Sequence, residues 1–297
     1  MFRVPPKLRP GDRVAVVAPS SGFPREELFR GLAWLGGRYA LTMRSDILER
    51  HGYLAGDDTR RAAEMARAMR DPEVSAIVCA RGGYGLTRIL DGLPWEDFAR
   101  SPKWIVGFSD VTALHLEAQR RGLVSVHGPN VTGLSRTTPA ERAQLLAILE
   151  RHAGPTFAGL DVVHRGQERT VTGPVVGGNL TLVETEAASG KLRLPDGAIL
   201  VLEDVTERPY RVDRMLTSLT RAGHLARVGA IVFGDFTECP PGPDGVTVED
   251  VLRERTAGLG VLVLAGMSAG HGARNMPIPL GFSACASPNG TLAFTPP

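Results

Sequence analysis

Apolar runs rich in β-branched residues alternate, through the first half of this chain, with segments whose apolar and alanine positions recur every three to four residues. Strands buried on both faces need continuous apolar runs, and amphipathic helices make the crossovers between them, so the alternation predicts parallel βαβ units. Strands are predicted at 13–18, 76–80, 104–107 and 123–126, and helices near 26–35, 57–70, 111–121 and 139–150. The helix from Asp57 stops at Asp71-Pro72, where proline ends the helical hydrogen bonding.

The pattern weakens between about 154 and 173 into polar, glycine-containing sequence, and a second pattern starts behind it. GGNLTLVETEAAS reads as a glycine turn into a helix, AILVLED as a strand, YRVDRMLTSLTRAG as an amphipathic helix and VGAIVFGDF as a strand. VTVEDVLRERTAGL reads as a helix and VLVLAG as a final strand. The expected fold class is α/β in two parts: an N-terminal domain over 1–153, a connection over 154–173 and a C-terminal domain over 174–297. Ligand chemistry in parallel sheets gathers at the C-terminal ends of the strands.

Composition narrows the function classes. With 34 Lys and Arg against 32 Asp and Glu, the formal net charge is +2, and the arginines are interleaved with acids. No basic field exists to hold a phosphate backbone, so nucleic acid is excluded as the expected partner. Cys79, Cys239 and Cys285 lie far apart without metal-ligand spacing, and no metal or cofactor is expected. No stretch approaches the ~20 apolar residues of a membrane span, and the first residues do not read as a secretory signal, so the expectation is a cytoplasmic protein with no membrane partner.

Four strand-end motifs carry chemistry. WIVGFSDV, residues 104–111, runs from a strand through a sharp turn into a helix, which exposes Ser109 above a sheet at a helix N-terminus. A simple N-cap by Ser109 or Asp110 accounts for the same residues, and Val111 stands where a G-x-S-x-G elbow would have its second glycine. ARGGYGLTRIL, residues 80–90, puts Gly82 and Gly83 just after a strand, where bare backbone can aim N–H groups at an oxyanion; an unliganded glycine turn reads the same way. In VLEDVTERPYRVDR, residues 201–214, Glu203 and Asp204 emerge at a strand tip and Glu207 follows; any of these can orient a histidine or pair with Arg208 or Arg211. In AGHGARNMPIPLG, residues 269–281, His271 sits between two glycines on a loop. His115, inside a helix, and His127, after a strand, are rival bases, and spacing does not separate His127 from His271.

Together, PGDRVAVVAPS, ARGGYG, GFSDVTALH, HGPN, GGNL, LEDVTERPYRVDR and GHGARNMPIPLG resemble the LD-carboxypeptidase family of serine peptidases, which includes murein tetrapeptide carboxypeptidases and microcin-immunity relatives. The resemblance implies an N-terminal flavodoxin-like domain of the class I glutamine amidotransferase type and a C-terminal swivelling β/α domain. It further implies Ser109 as nucleophile, Glu203 as acid and His271 as base, with an oxyanion hole from the amides of Asp110 and Gly83, Gly82 being the alternative. Phe108 stands where the family often has tyrosine. The implied substrate is a muropeptide ending in D-alanine, the implied assembly a homodimer. A terminal carboxylate calls for a guanidinium, and Arg81 and Arg274 are the nearest in sequence to the motifs. A microcin-immunity enzyme with the same three residues, and a non-catalytic two-domain binder, are the rival expectations.

Overall fold

A computed structural model describes residues 2–295. Among the described residues, fourteen strands build two sheets. They are β1 Arg13–Val17, β2 Ala40–Thr42, β3 Val74–Cys79, β4 Trp104–Gly107, β5 Ser125–His127, β6 Thr156–Phe157 and β7 Asp161–His164. The rest are β8 Val171–Asn179, β9 Ile199–Val205, β10 Ala230–Thr237, β11 Leu262–Ala265, β12 Ile278–Leu280, β13 Ser283–Ser287 and β14 Thr291–Phe294. The first sheet runs β12-β5-β4-β3-β1-β2 and is parallel except for β12. The second runs β6-β14-β13-β8-β9-β10-β11-β7; its centre, β8 to β11, is parallel and its outer strands are antiparallel.

Two features depart from the expected layout. The segment expected as a connection carries β6 and β7, edge strands of the second sheet, and the first residues of β8. Their half-exposed, polar sequence hides strand character that backbone pairing supplies. The chain also returns late: β12 pairs with β5 and closes one edge of the first sheet with residues from the far end of the sequence.

The helices lie close to the expected places, and local chemistry explains their ends. Asp57 caps the helix Asp58–Arg70 by accepting from the Arg60 amide, and Thr138 with Glu141 forms a capping box on Pro139–Arg151, with proline in the first turn. One hydrophobic cluster runs through both sheets, joining Val16, Val106 and Val126 to Val201, Val232 and Leu264 through Leu280 and Phe282. Separate clusters under the outer helices fill the opposite faces, around Met65, Ile105 and Leu114 in one case and Leu200, Leu216 and Phe233 in the other. The two sheets thus share a core, and the tips of β3 and β4 come to rest beside the tips of β8 and β9.

The helix Arg25–Gly36 crosses the short helix Val131–Leu134 at Gly31, where an added methyl would lie 2.7 Å from Val131 Cγ1 and closer still to the Val131 carbonyl oxygen. A Gly31→Ala change should therefore destabilise despite alanine's helix propensity of ~1 kcal/mol, because overpacking here costs about 1–3 kcal/mol. Thermal unfolding should show a midpoint lowered by a few degrees; an unchanged or raised midpoint would contradict this packing.

Candidate active site

Strand β4 ends at Gly107, and the backbone then passes through extended Phe108 into Ser109 with φ 66°, a left-handed conformation for a non-glycine residue. Such backbone costs on the order of 1 kcal/mol and persists only where its surroundings impose it. The surroundings here are specific. A side chain at Gly107 would strike Val111 and Asn130, while the Phe108 amide donates to Asn130 Oδ1 at 3.3 Å. A 3₁₀ turn, Ser109–Val111, then leads into the helix Thr112–Arg120.

The buried Asp110 side chain pins this elbow to its neighbours, accepting from Ser20 Oγ at 2.6 Å and from the Leu86 amide at 2.9 Å. Burial pushes its carboxyl upward, opposed by these bonds. Leu86 follows the Gly82–Gly83 turn after β3, so the acid ties the serine elbow to the glycine loop. A methyl on Gly82 would lie 2.8 Å from Ser109 Cβ and 3.1 Å from its Oγ, and Gly83 takes φ +104° against Ser21. Among the described residues, the amides of Gly82, Gly83 and Asp110 donate to no protein acceptor. Bare amides beside a half-buried hydroxyl that lines the cleft suit an incipient oxyanion.

The acid and the imidazole come from the second sheet. Adjacent residues of a strand face opposite ways, and β9 uses this at its tip. Asp204 accepts from Asn179 Nδ2 at 2.9 Å and from the Thr181 amide and hydroxyl, bracing the first turn of the helix Leu180–Ala188, which Asn179 caps by accepting from the Leu182 amide. Glu203, fully buried, accepts at 2.7 Å from His271 Nδ1. Two glycines clear the space: Gly234 faces the Ala269 carbonyl, and a side chain on Gly270, at φ +126°, would lie 2.7 Å from Glu203 Oε2. The loop is held further by Gly270 N–H donating to Asn275 Oδ1 at 3.2 Å and Asn275 N–H donating to Glu141 Oε1 at 2.5 Å.

Burial of His271 works against its positive form, but the bond and charge of Glu203 outweigh it and hold the imidazole above the ordinary histidine value. Asp235, half-buried beside Gly272, adds in the same direction. Glu203 is itself drawn upward by burial and downward by the His271 bond. At a 2.7 Å separation we hold the ionised carboxylate beside an Nδ1–H donor to be the resting form.

Ser109, His271, Gly82 and Gly83 line one cleft of about 510 Å³, together with Arg81 and Asn130. The Phe108 ring lies 4.8 Å from the His271 ring, so the residue before the serine packs on the histidine. No hydrogen bond joins Ser109 Oγ to His271 among the described residues; such contacts often tighten only around bound substrate. Arg81 donates to the Gly22 carbonyl at 2.5 Å from the cleft wall. Arg274 is exposed and lines neither this cleft nor the cavity next to it. The rival histidines are sealed in the core. Burial pushes His115, bonded to Ser125 Oγ and the Gly107 carbonyl, down to about 4, and His127 down to about 3. Glu207 is paired with Arg211 at 3.5 Å.

Arg136, in the stretch without motifs, lines the cleft, as does Glu27 on the same wall. Nothing in the local pattern marks either residue. Asn275 stood inside the GHGARN motif without an assigned role, although a polar residue four places after a loop histidine was a usable signal.

A family model for the LD-carboxypeptidase N-terminal domain matches residues 14–128, and one for the C-terminal domain matches 172–285. The murein tetrapeptide carboxypeptidase of Pseudomonas aeruginosa is 36% identical over 290 residues, covering 93% of this chain and 94% of that protein. The crystal structure of muramoyltetrapeptide carboxypeptidase from Oxalobacter formigenes superposes with a TM-score of 0.83 at 28% identity, covering 95% of this chain and 97% of that one. The microcin C7 self-immunity protein MccF, in complex with aspartyl sulfamoyl adenosine, shares the fold with a TM-score of 0.87 at 22% identity over 99% of this chain and 98% of that one. With both domain models matched in order along it, this chain belongs to the LD-carboxypeptidase family of serine peptidases.

Proposed function

We propose that the protein hydrolyses the L,D-amide that joins terminal D-alanine to the preceding residue of a murein tetrapeptide, with Ser109 as nucleophile, His271 as general base and Glu203 as its orienting acid. The observation that carries this reading is the Glu203–His271 bond of 2.7 Å opening onto the same cleft as a serine held in a left-handed elbow. The relatives named for murein and muramoyl tetrapeptides favour that substrate. Cell-wall recycling in the cytoplasm by a homodimer is the setting we infer.

His271 Nε2 takes the Ser109 proton as Oγ bonds to the scissile carbonyl carbon. The carbonyl electron pair moves to oxygen, where the Asp110 amide and that of Gly83, or of Gly82, receive it. His271 returns the proton to the amide nitrogen as the C–N bond breaks and D-alanine leaves. Water then attacks the acyl-serine by the same route, giving the tripeptide acid and restoring the hydroxyl. Glu203 fixes the tautomer with Nδ1 protonated and stabilises the imidazolium. Every proton in this cycle is carried by His271.

A microcin-immunity activity on aminoacyl nucleotides is the second reading, favoured by the MccF fold. Among the described residues no tryptophan lines the cleft: Trp95 and Trp104 are buried and Trp34 packs under Arg142, which leaves Phe108, already packed on His271, as the aromatic carbon ring on its wall.

Incubation with muramoyl tetrapeptide should release free D-alanine, and Ser109→Ala should lower kcat by about 10⁴-fold or more. Release of nucleoside from an aminoacyl sulfamoyl adenosine, with no D-alanine from the tetrapeptide, would establish the second reading instead. The pH profile carries a separate expectation. Because His271 is raised and must be neutral to accept the serine proton, kcat/KM should climb with pH through an apparent pKa above the ordinary histidine value. Removing the carboxylate charge with Glu203→Gln should move that limb to lower pH, since desolvation then dominates, and should cost about 10²–10⁴-fold in kcat. A limb that stays in place would refute the coupling.

A further inference from the structure

His271 opens onto two cavities. Besides the main cleft, a smaller one of about 250 Å³ contains His271, Phe108, Gly133, Arg136, Glu141 and Asn275, but not Ser109, Gly82 or Gly83. Phe108, Gly133, Arg136 and His271 stand on the wall that the two share.

The chemistry assigns the sides. In acyl transfer, the nucleophile and the oxyanion donors stay with the acyl portion, whereas the histidine alone must also reach the leaving nitrogen. A cavity that holds the imidazole without the hydroxyl or the glycine amides is therefore on the leaving-group side. Its size agrees: 250 Å³ falls below the ~300–1,000 Å³ of pockets for drug-sized ligands and suits one small amino acid, while the 510 Å³ cleft has room for a longer acyl portion.

An exopeptidase's leaving group carries a free carboxylate, which needs a cation and donors. Among the described residues, Arg136 is the one Lys or Arg on this cavity's wall. Its side chain is 65% exposed and has a single ion pair, Nη1 to Glu27 Oε1 at 3.1 Å, so most of its donors are unspent. Asn275 on the same wall is 9% exposed, and among the described residues its buried Nδ2 has no hydrogen-bond partner, so an unspent donor lies within the wall itself. The Glu141 carboxylate, held ionised by bonds from the Asn275 amide and from the Thr138 amide and hydroxyl, opposes an anion here, so the guanidinium of Arg136 has that repulsion to outweigh.

We propose that this smaller cavity is the leaving-group pocket and that Arg136, supported by Asn275, binds the terminal carboxylate of the departing D-amino acid. The assignment rests on the carboxypeptidase reading above. It differs from a role for Arg81, which lines only the side that holds Ser109.

The test compares kcat/KM on muramoyl tetrapeptide ending in D-alanine with that on the same peptide ending in D-alaninamide. Both are read on one preparation, so the ratio is independent of how much of a variant is folded. The wild type should prefer the acid by about 10- to 100-fold, the value of one charge-assisted pair, mostly through KM. Arg136→Ala should bring the ratio to within about threefold of unity, and Arg136→Lys should keep part of it. A preference retained in Arg136→Ala, lost instead in Arg81→Ala, or absent from the wild type overturns the assignment while the peptidase reading stands. A wild type that cleaves neither peptide overturns both.

Discussion

Everything at this site depends on how closely the tip of β8 approaches the first turn of the helix behind Ser109. Gly178, at φ +136°, faces Thr112, and a methyl there would lie 2.6 Å from the threonine hydroxyl; the next amide, of Asn179, donates to that oxygen at 3.0 Å. Any larger residue at 178 would hold the sheets apart. Since the hydroxyl comes from one sheet and the imidazole and carboxylate from the other, such a gap would separate them. Asn179 passes the contact on to Asp204, so one acid of the β9 tip anchors the seam while its neighbour, Glu203, faces the histidine.

The arrangement is organised before any substrate arrives. Ser109 is held in backbone that a free serine seldom adopts, by a buried acid that also holds the glycine loop. Among the described residues, one Glu203 oxygen, Oε1, has no hydrogen-bond partner in the core, a cost of about 1–3 kcal/mol for a buried polar group. That low-dielectric setting also strengthens its hold on the imidazole, which is where a raised histidine comes from. The shared hydrophobic core supplies the rigidity against which these local costs are set.

Most strands buried on both faces were legible because they must be continuously apolar: β1, β3, β4, β9, β10 and β11 all overlap runs read as strands, whereas the central β8, which ends in Gly-Gly-Asn, read as connection and glycine turn. The edge elements were not. β6, β7, β13 and β14 are short or half-exposed and carry polar residues, glycines and prolines around them, so their strand character comes from pairing partners far away in sequence. β12 is the extreme case, three residues after a proline that join a sheet built from the first half of the chain. Helix positions were close throughout, since capping residues such as Asp57 and Thr138 act locally.

By itself, the sequence determined the alternation of strands and helices and which residues stand at strand tips, because periodicity, caps and glycine turns are short-range matters. It narrowed the chemistry to Ser109, the Gly82–Gly83 turn, the acids after β9 and a few histidines. Spacing did not choose among them; the family resemblance pointed to Glu203 and His271, and the tertiary structure supplies the physical reason those two can meet beside Ser109. His115 and His127 lie near Ser109 along the chain, yet they are sealed beneath it, while His271, 162 positions away by subtraction of the residue numbers, shares its cleft. Arg136 shows the same thing in reverse, a residue with no motif around it that folding sets on the wall between two cavities. Exposure and hydrogen bonding to distant partners decide which titratable groups can work, and neither is a property of a residue's neighbours in sequence.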